Sequence, residues 1–396
     1  MEERFLSRTR VMRLYDALII GAGPSGSVLA RLLARGGWRV LAVDRDPTGS
    51  DRVCGGFLGP EVQPLWRELG VEPQLECLRA EPIRHLLFSG MSRARFSVPL
   101  PGEGSLAVSR DALSIWLREQ AEREGAFLQA PASATRLRRS GSLFRATVAS
   151  GNEKEEVSAR VVIRAAGRRK PMPAASREGH FGCKTVYEGV SGFENSVALH
   201  FVRGGHVGFN RLSGGRTLLC LYVGQARLRD CRGRLDAMVE RMAEENPAIC
   251  ELLSGARRAG PWLSCPAEPD GREVFLQEGC LHVGDAVTML NPLLGGGMSV
   301  AMGSSVLLSR ELLAKPACDI DVERVARRYA SAWRSQYAGR VRFGRGLAWC
   351  EDRWQVSEAV LQGLSAFPSM VQRLVRYARP TLRVSAPGLA GGDPHR

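Results

Sequence analysis

The first fifty residues contain two apolar runs separated by a segment with helical spacing. The run DALII begins at Asp16 and is followed at once by GAGPSG. In SVLARLLARGG the apolar positions recur at helical spacing, and the segment ends at two glycines, which are typical of a helix stop. The second run, WRVLAVD, closes on Asp44. The pattern therefore predicts a strand, a helix and a second strand, the βαβ unit of a parallel sheet.

The glycines after the first strand have the spacing of a dinucleotide-binding turn. Gly21 permits the tight turn, Gly23 lets the backbone approach a pyrophosphate, and Gly26 allows close packing of helix and strand. Pro24 and Ser25 lie between them at the predicted N-terminus of the helix. The free N–H groups and the dipole of that helix end favour phosphates.

An acidic residue ends the second strand. Asp44 follows the glycines by about 20 residues, where a carboxylate can accept hydrogen bonds from ribose hydroxyls. We include its neighbour Arg45 among the candidate binding residues. A carboxylate here disfavours the 2′-phosphate of NADP, so NAD and FAD both remain. A glycine-rich turn in any parallel α/β protein is the alternative, but it does not explain the spaced acid.

A second glycine-rich segment decides between NAD and FAD. The segment LQEGCLHVGDAVTMLNPLLGGGMSVAMGSSVLLSRELL contains a predicted strand, the pair Gly284 and Asp285, a turn around Pro292 and a triple glycine before a helix. Here the sequence resembles the FAD-dependent oxidoreductases that include p-hydroxybenzoate hydroxylase and the geranylgeranyl reductases. The resemblance implies that the aspartate hydrogen-bonds the ribityl chain of FAD. It also implies that amides of the helix N-terminus meet the pyrimidine edge of the flavin, where reduced flavin carries negative charge. The residues of that turn are Gly295, Gly296, Gly297 and Met298.

Three further segments extend the resemblance. SDRVCGGFLGPEV resembles the CGG segment of the reductase-like branch, which implies that Arg52, Cys54 and Gly55 lie near the flavin. AVSRDALSIWLREQ resembles the R-xx-L helix of the family, so Arg110 is expected near the FAD phosphates and ribityl chain. In ARVVIRAAGRRK, Ala166 replaces an aspartate that relatives carry.

The segments between the flavin motifs predict a second sheet. HLLFSG, ARFSVPL, VALHFV, HVGFN and TLLCLYVG alternate or run apolar, with glycine turns between several of them. We expect an antiparallel sheet that forms the roof of a substrate pocket. The predicted fold class is α/β, a Rossmann-like FAD-binding domain with an inserted antiparallel β-sheet substrate domain and a helical C-terminus. The predicted boundaries place FAD-binding parts at 1–81, 104–176 and 276–320, substrate-domain parts at 82–103 and 177–275, and a helical region with a tail at 321–396.

Four side chains on the predicted strands are candidates for catalytic or substrate contacts. They are Lys184, Tyr187, His200 and His206. Each could equally be a surface residue or a satisfied core residue, which is the commoner fate of a lone histidine on a strand. Because a flavin carries the chemistry itself, the absence of a catalytic triad is no objection to an oxidoreductase. No second GxGxxG precedes a helix, so NAD(P)H is expected to bind transiently as the reductant.

Composition limits the remaining classes. The 396 residues are 44% hydrophobic and 24% charged, as in an ordinary soluble protein. The ten cysteines are scattered without a CxxC pair, which is typical of thiols in a reducing cytosol, and neither they nor the six histidines have metal-ligand spacing. No apolar run reaches the roughly 20 residues of a membrane span. We therefore predict a cytoplasmic protein without a metal.

The C-terminal region concentrates positive charge. Twelve arginines stand against four acidic residues from Glu323 to Arg383, within a net charge of +14 for the chain. Solvated helix faces with aromatic residues packed inward are the favoured interpretation. The alternative is peripheral contact with an anionic membrane, because Met370, Leu374 and Tyr377 form one helical stripe flanked by arginines. Nucleic-acid binding is not expected, since no recognisable module is present.

These features predict an FAD-dependent monooxygenase. Such an enzyme would use NAD(P)H and O₂ to oxygenate an aromatic or polyketide-like, lipophilic substrate. A reductase of isoprenoid double bonds is the alternative, favoured by the CGG segment. A non-catalytic escort protein on the same fold is a third hypothesis, which retention of Asp285 and the triple glycine disfavours. The sequence leaves the substrate and the oligomeric state open.

Overall fold

A computed structural model describes residues 13–49, 52–71, 75–92, 94–102, 105–167, 179–267 and 272–379. The strands are β1 Arg13–Ile20, β2 Val40–Val43, β3 Phe57–Leu58, β4 Glu81–Ile83, β5 His85–Ser89, β6 Arg95–Pro99, β7 Ser105–Ala107, β8 Phe127–Gln129, β9 Ser133–Ser140, β10 Leu143–Ser150, β11 Glu153–Arg164, β12 His180–Glu188, β13 Ser196–Val202, β14 Gly205–Arg211, β15 Arg216–Gly224, β16 Arg257–Arg258, β17 Leu263–Pro266, β18 Leu276–Gln277 and β19 Cys280–His282. The α-helices are α1 Pro24–Arg35, α2 Gln63–Leu69, α3 Leu75–Leu78, α4 Arg110–Arg123, α5 Gln225–Asp230, α6 Leu235–Glu245, α7 Pro247–Leu253, α8 Gly297–Leu313, α9 Val322–Glu351, α10 Trp354–Ala366 and α11 Pro368–Ala378. Short 3₁₀ helices span Pro60–Val62, Gly284–Ala286, Pro292–Leu294 and Ala317–Asp319.

The first sheet is built on parallel strands formed by the buried apolar runs. Its order is β18-β19-β11-β1-β2-β8, and β10 and β9 continue it as an antiparallel extension from β11. β1 is parallel to both β2 and β11, and β8 and β19 continue that direction. Ala17, Leu18 and Ile19 are completely buried, as expected for a strand covered on both faces. The carboxyl ends of the parallel strands therefore meet at one edge, which confirms the predicted Rossmann-like arrangement.

Helices α1 and α8 both begin at this edge, where they approach each other closely. A Cβ added at Gly26 would lie 1.8 Å from the carbonyl oxygen of Gly21. A Cβ at Gly284, where φ is +66°, would lie 2.6 Å from Ser25 Oγ. The Ser305 hydroxyl of α8 donates a hydrogen bond to the Ser25 carbonyl oxygen at 2.7 Å. Glycine is therefore required at Gly26 and at Gly284, where the N-terminus of α1 packs against the segment before α8 and against the second and third turns of α8.

The second sheet contains the five segments that the sequence predicts as an antiparallel sheet. Its order is β16-β12-β15-β14-β13-β5-β6, with β17 paired to β12, and the pairings are antiparallel except that β13 runs parallel to β5. Strand alternation divides its side chains between two faces. Val207 and Phe209 pack in an apolar core with residues of α6 and α7, whereas His206, Asn210 and Tyr222 face the first sheet. A small third sheet, with the order β3-β7-β4, lies beside the glycine-rich segment near Gly55.

The long helix α9 connects the two sheets. Asp321 caps it by accepting hydrogen bonds from the Glu323 and Arg324 amides at 3.1 and 3.0 Å. Tyr329 and Trp333 pack inward against Phe275, with ring centroids 5.4 and 5.6 Å apart. Tyr329 and Trp333 therefore pack inward, as the favoured interpretation of the C-terminal region predicts.

Helix α11 has both a buried and an exposed apolar side. Val371 and Val375 are buried in a cluster with Val98 of β6. Met370 and Tyr377 are 52% and 60% exposed. Within the described ranges, no helix is both long enough and apolar enough to cross a bilayer.

Candidate active site

A cavity of about 840 Å³ lies between the carboxyl edge of the first sheet and the inner face of the second sheet. It brings together residues of every glycine-rich segment identified in the sequence. The candidate cofactor residues that line it are Gly21, Gly23, Pro24, Ser25, Asp44, Arg45, Arg52, Cys54, Gly55, Arg110, Asp285, Pro292, Gly295, Gly296, Gly297 and Met298. Gly26 and Gly284 lie behind this lining in the packing positions described above. The sequence motifs therefore converge on one continuous space.

Asp44 is held rigidly at one end of the cavity. Its Oδ2 accepts a hydrogen bond from the Ala22 amide at 2.7 Å and lies 3.3 Å from Arg118 Nη2. Its Oδ1 accepts from the Asp46 amide at 3.0 Å. Arg118 also donates from Nε to the Ala22 carbonyl oxygen at 2.9 Å. Arg118 is absent from the sequence-based candidates, although it lies about two turns beyond Arg110 on the same helix.

Arg110 projects over the first glycine turn. A Cβ added at Gly23 would lie 3.3 Å from its Nη2. Its Nη1 is buried and has no hydrogen-bond partner among the described residues. Burial lowers the pKa of Arg110, while Cys54 and Asp285 act in the opposite direction. A buried guanidinium with a free donor fits the pyrophosphate of a dinucleotide, because the phosphates supply both the acceptor and the opposite charge.

The triple-glycine turn forms the other wall. Asn291 caps a 3₁₀ turn by accepting a hydrogen bond from the Leu293 amide at 2.8 Å, and Gly295 takes the left-handed conformation with φ +59°. Helix α8 then begins at Gly297, so its first amides have no partner within the helix. Asp285 is exposed toward the same space. The residues present therefore fit FAD, with an arginine at the phosphate end and helix amides at the flavin end.

Two family models match the chain. Residues 14–191 match the model described as an FAD binding domain. Residues 264–336 match the model described as squalene epoxidase. The second match contains Asp285 and the triple glycine, so both flavin segments lie within recognised regions.

Relatives that match most of this chain agree with these models, and the chain spans about three fifths of the length of the squalene epoxidases among them. The chain is 27% identical over 349 residues to squalene epoxidase 3 of Arabidopsis thaliana, an alignment covering 80% of this chain and 63% of the relative. It is 26% identical over 308 residues to digeranylgeranylglycerophospholipid reductase 1 of Methanothermobacter thermautotrophicus, covering 74% of this chain and 75% of the relative. These matches indicate an FAD-dependent oxidoreductase. FAD as the cofactor is thereby confirmed, and an enzyme is indicated rather than an escort protein.

A solved structure confirms the fold of this oxidoreductase. The flavin-dependent brominase Bmp2 superimposes with a TM-score of 0.78 at 17% identity, covering 93% of this chain and 94% of that chain. At this identity the likeness shows the architecture alone. The predicted α/β fold with an inserted sheet and C-terminal helices is therefore confirmed.

His206 is the one member of the four predicted polar contacts that lines the cavity. Its Nδ1 forms a hydrogen bond with the buried carboxylate of Glu351. Glu351 Oε2 accepts a second hydrogen bond from Asn291 Nδ2 at 3.1 Å. The His206 ring stacks on Tyr222 with centroids 5.4 Å apart. Glu351, at the end of α9, thus fixes His206 of the second sheet and links it to Asn291, in the turn before the triple glycine.

The other three candidates lie outside the cavity lining. Tyr187 is in the core on the α6 and α7 side of the sheet, and His200 packs on Phe209 of that core. Strand alternation places both on the face opposite His206, so neither lines the cavity. Lys184 is on the inner face and is buried, and it does not line the cavity.

We predict that Arg110→Gln weakens FAD binding by about 10- to 100-fold, the range expected for one hydrogen bond to a charged group. The FAD-free variant should unfold at no lower temperature than the wild type, because the substitution removes a buried guanidinium whose Nη1 has no hydrogen-bond partner among the described residues. Flavin fluorescence titration and thermal unfolding with and without FAD measure the two effects. Arg123→Gln, at the exposed end of the same helix, is the matched control. Equal loss of FAD affinity in both variants would contradict the assignment.

A second prediction concerns His200. Burial, with a smaller effect of Arg95, lowers the pKa of this imidazole from 6.5 to about 3, and its Nδ1 is 2.7 Å from Ser89 Oγ. The unfolded chain binds a proton below pH 6.5 that the folded chain does not, so stability falls as pH decreases toward 3. The expected slope is about 1.4 kcal/mol per pH unit.

Urea unfolding at pH 7 and pH 5 tests this slope. The wild type should lose ~2 kcal/mol more than His200→Asn, which keeps a polar atom for Ser89 but does not titrate. His85→Asn, at an exposed position of β5, should behave as the wild type. A wild-type pH dependence retained in His200→Asn would contradict the prediction.

Proposed function

We propose that this oxidoreductase is a monooxygenase that uses NAD(P)H and O₂ to oxygenate an electron-rich, lipophilic substrate of aromatic or polyketide-like character. The observation that carries the proposal is the continuity of the cavity from the flavin segments to an apolar wall. That wall is formed by Phe57, Leu86, Val197 and Leu199. The names of the relatives support a lipophilic substrate, since they include squalene epoxidases.

FAD, once bound and reduced, supplies the activation of O₂. The second sheet excludes water from the reacting face, and its apolar side chains bind the substrate. Asn210 offers a polar contact: its Nδ2 donates to the Gly55 carbonyl oxygen at 2.8 Å, and its buried Oδ1 has no partner among the described residues. That oxygen can accept a hydrogen bond from a substrate hydroxyl. His206, fixed by Glu351, is the second group positioned to orient a polar end of the substrate or exchange a proton with it.

A reductase of isoprenoid double bonds is the second candidate. Cys54 Sγ lies 3.7 Å from Met298 Sδ, so the CGG segment contacts the start of α8 within the cavity. The similarity to a digeranylgeranylglycerophospholipid reductase over 74% of this chain favours the same activity. The two candidates differ in whether oxygen enters the product.

Turnover under ¹⁸O₂ distinguishes them. We expect NAD(P)H oxidation with a phenolic or polyprenyl panel to give a product that gains one labelled oxygen atom, detected by mass spectrometry. Asn210→Asp should reduce turnover, because a carboxylate in that buried site is costly and changes the hydrogen-bonding pattern. Product formation that continues unchanged without O₂, with the gain of two hydrogens, would establish the reductase instead.

Helix α11 is a candidate membrane contact through which a lipophilic substrate could be collected. The exposed side chains of Phe367, Met370 and Tyr377 lie on or beside this helix, together with exposed Arg373 and Arg376. Burial of the exposed apolar side chains in the membrane interface would favour adsorption of the protein. Each arginine near anionic headgroups would add about 1 kcal/mol. We infer reversible binding to anionic membranes from this combination.

Co-sedimentation with anionic vesicles tests this inference. Binding should require anionic lipid, decrease with added salt, and weaken in an Arg373→Gln, Arg376→Gln double variant. The pair Arg138→Gln, Arg145→Gln removes the same charge from exposed positions of the first sheet and should bind as the wild type. Absence of binding at low ionic strength would leave α11 as a solvated helix face.

A further inference from the structure

Three charged side chains are buried together behind the triple-glycine turn. Glu61 comes from the 3₁₀ turn Pro60–Val62, Arg340 from the middle of α9 and Arg379 from the end of α11. Their side chains are 5%, 1% and 5% exposed. Glu61 Oε1 lies 3.4 Å from Arg340 Nη2 and 3.5 Å from Arg379 Nη1. We call these residues the Glu61 cluster.

Glycines make room for the Glu61 cluster against the turn. A Cβ added at Gly296 would lie 1.5 Å from Arg340 Nη2. A Cβ at Gly59 would lie 2.1 Å from Glu61 Oε2 and 2.4 Å from Arg379 Nη1. The charged groups therefore occupy the positions that side chains would take, and the Arg340 guanidinium lies directly against the turn backbone.

Arg379 reaches the cavity itself. Its Nη2 donates a hydrogen bond to the Leu294 carbonyl oxygen at 3.2 Å, and its guanidinium carbon lies 4.6 Å from the centroid of the Phe57 ring. It is also among the residues that line the cavity beside Gly295. One cation of the cluster is thus exposed to whatever occupies the flavin end.

The cluster carries one uncompensated positive charge, because two guanidinium groups face a single carboxylate. Burial alone would raise the pKa of Glu61, but Arg379 and Arg340, together with hydrogen bonds from the Glu61 amide and Ser299, hold that pKa below its ordinary value, so the carboxylate is ionised. The other buried carboxylate of α9, Glu351, lies eleven residues further on, about 16 Å along the helix. It is bound to His206 and Asn291. A buried net charge is costly unless an opposite charge is placed against it.

We propose that the Glu61 cluster tunes the reduction potential of bound FAD by stabilising the anionic reduced flavin. The proposal rests on the placement of the flavin pyrimidine edge at the turn Gly295–Gly297. When bound, FAD would accept two electrons and one proton from NAD(P)H as a hydride, with release of NAD(P)⁺, and the reduced cofactor would carry one negative charge at its pyrimidine edge. The net charge of the cluster favours that anion over the neutral oxidised flavin. It adds to the effect of the amides at the start of α8.

Three substitutions change the charge of the cluster in known directions. Arg379→Gln and Arg340→Gln each bring it to zero, whereas Glu61→Gln brings it to +2. Arg379→Lys keeps the charge. Arg376→Gln removes the same charge from an exposed position of α11 and is the matched control.

The measurement is the midpoint potential of FAD bound to the full chain, without O₂ or substrate. Arg379→Gln should bind reduced relative to oxidised FAD at least tenfold more weakly than the wild type, which lowers the potential by about 30 mV for a two-electron couple. Glu61→Gln should raise it, and Arg379→Lys and Arg376→Gln should leave it near the wild-type value. If Glu61→Gln does not fold, the fall in both arginine variants against the Arg376→Gln control carries the test.

Two results would overturn the proposal. One is a potential unchanged in both Arg379→Gln and Arg340→Gln; the other is a shift of equal size in Arg376→Gln. A merely structural cluster would not move the potential in opposite directions in the glutamate and arginine variants. The midpoint potential does not depend on whether the enzyme oxygenates or reduces its substrate. If ¹⁸O is incorporated but the potential does not shift in the cluster variants, the role of the cluster is rejected and the proposed function is not. A wild-type chain that binds no FAD would instead reject the placement of the flavin.

Discussion

The close approach of two helix N-termini to one sheet edge is the constraint on which the molecule depends. Helix α1 can begin there only because Gly26 leaves no side chain against the Gly21 carbonyl oxygen. The N-terminus of α1 packs against α8 because Gly284 has no side chain to clash with Ser25, whose carbonyl oxygen accepts a hydrogen bond from the Ser305 hydroxyl of α8. Two sets of unpaired helix amides are thereby directed into one cavity. Everything else in the site is arranged around a space that already favours anions.

The local part of this arrangement could be predicted from sequence, because it depends on short spacing. The βαβ unit, the glycine turn and the GD pair each lie within a few dozen residues, and hydrophobic periodicity locates their strands and helices. The positions of Gly21, Gly23 and Asp285 in the cavity lining follow from that regularity. The second sheet was also predictable as a sheet, since several of its strands alternate and are separated by glycine turns.

It was harder to predict which side chains lie on which face of the second sheet. A single step along a strand moves a side chain from one face to the other, so His200 and His206 have the same residue type but opposite surroundings. His200 lies with Phe209 on the side of the helices, and His206 lies over the cavity. In an isolated strand both faces are apolar enough to be the core. The register of β13 against β14 decides the matter, and that register is a long-range property.

The charged residues supplied by α9 were beyond local reasoning altogether. Arginines spread over basic helices suggest solvated faces, yet Arg340 is 3% exposed and pairs with Glu61, nearly 280 residues earlier. Glu351 at the end of the same helix fixes a histidine of the roof. A contact across such a separation leaves no periodic signal in the chain. Helix α9 runs from the parallel sheet past the triple-glycine turn to the second sheet. Only this path brings Arg340 and Glu351 to the cavity.

The distribution of charge in the cavity explains why the chain tolerates the burial of Arg110 and Arg379. Arg110 at the phosphate end has a buried donor without a protein partner, and Arg379 at the flavin end belongs to a cluster with one excess positive charge. Without a ligand, the unpartnered Nη1 of Arg110 and the excess positive charge of the Glu61 cluster both carry a desolvation cost. A dinucleotide supplies negative charge at its phosphates, and a reduced flavin supplies it again at its pyrimidine edge. Since a ligand that binds only the folded state stabilises it by mass action, the folding of this chain and the loading of its cofactor are coupled through the same buried arginines.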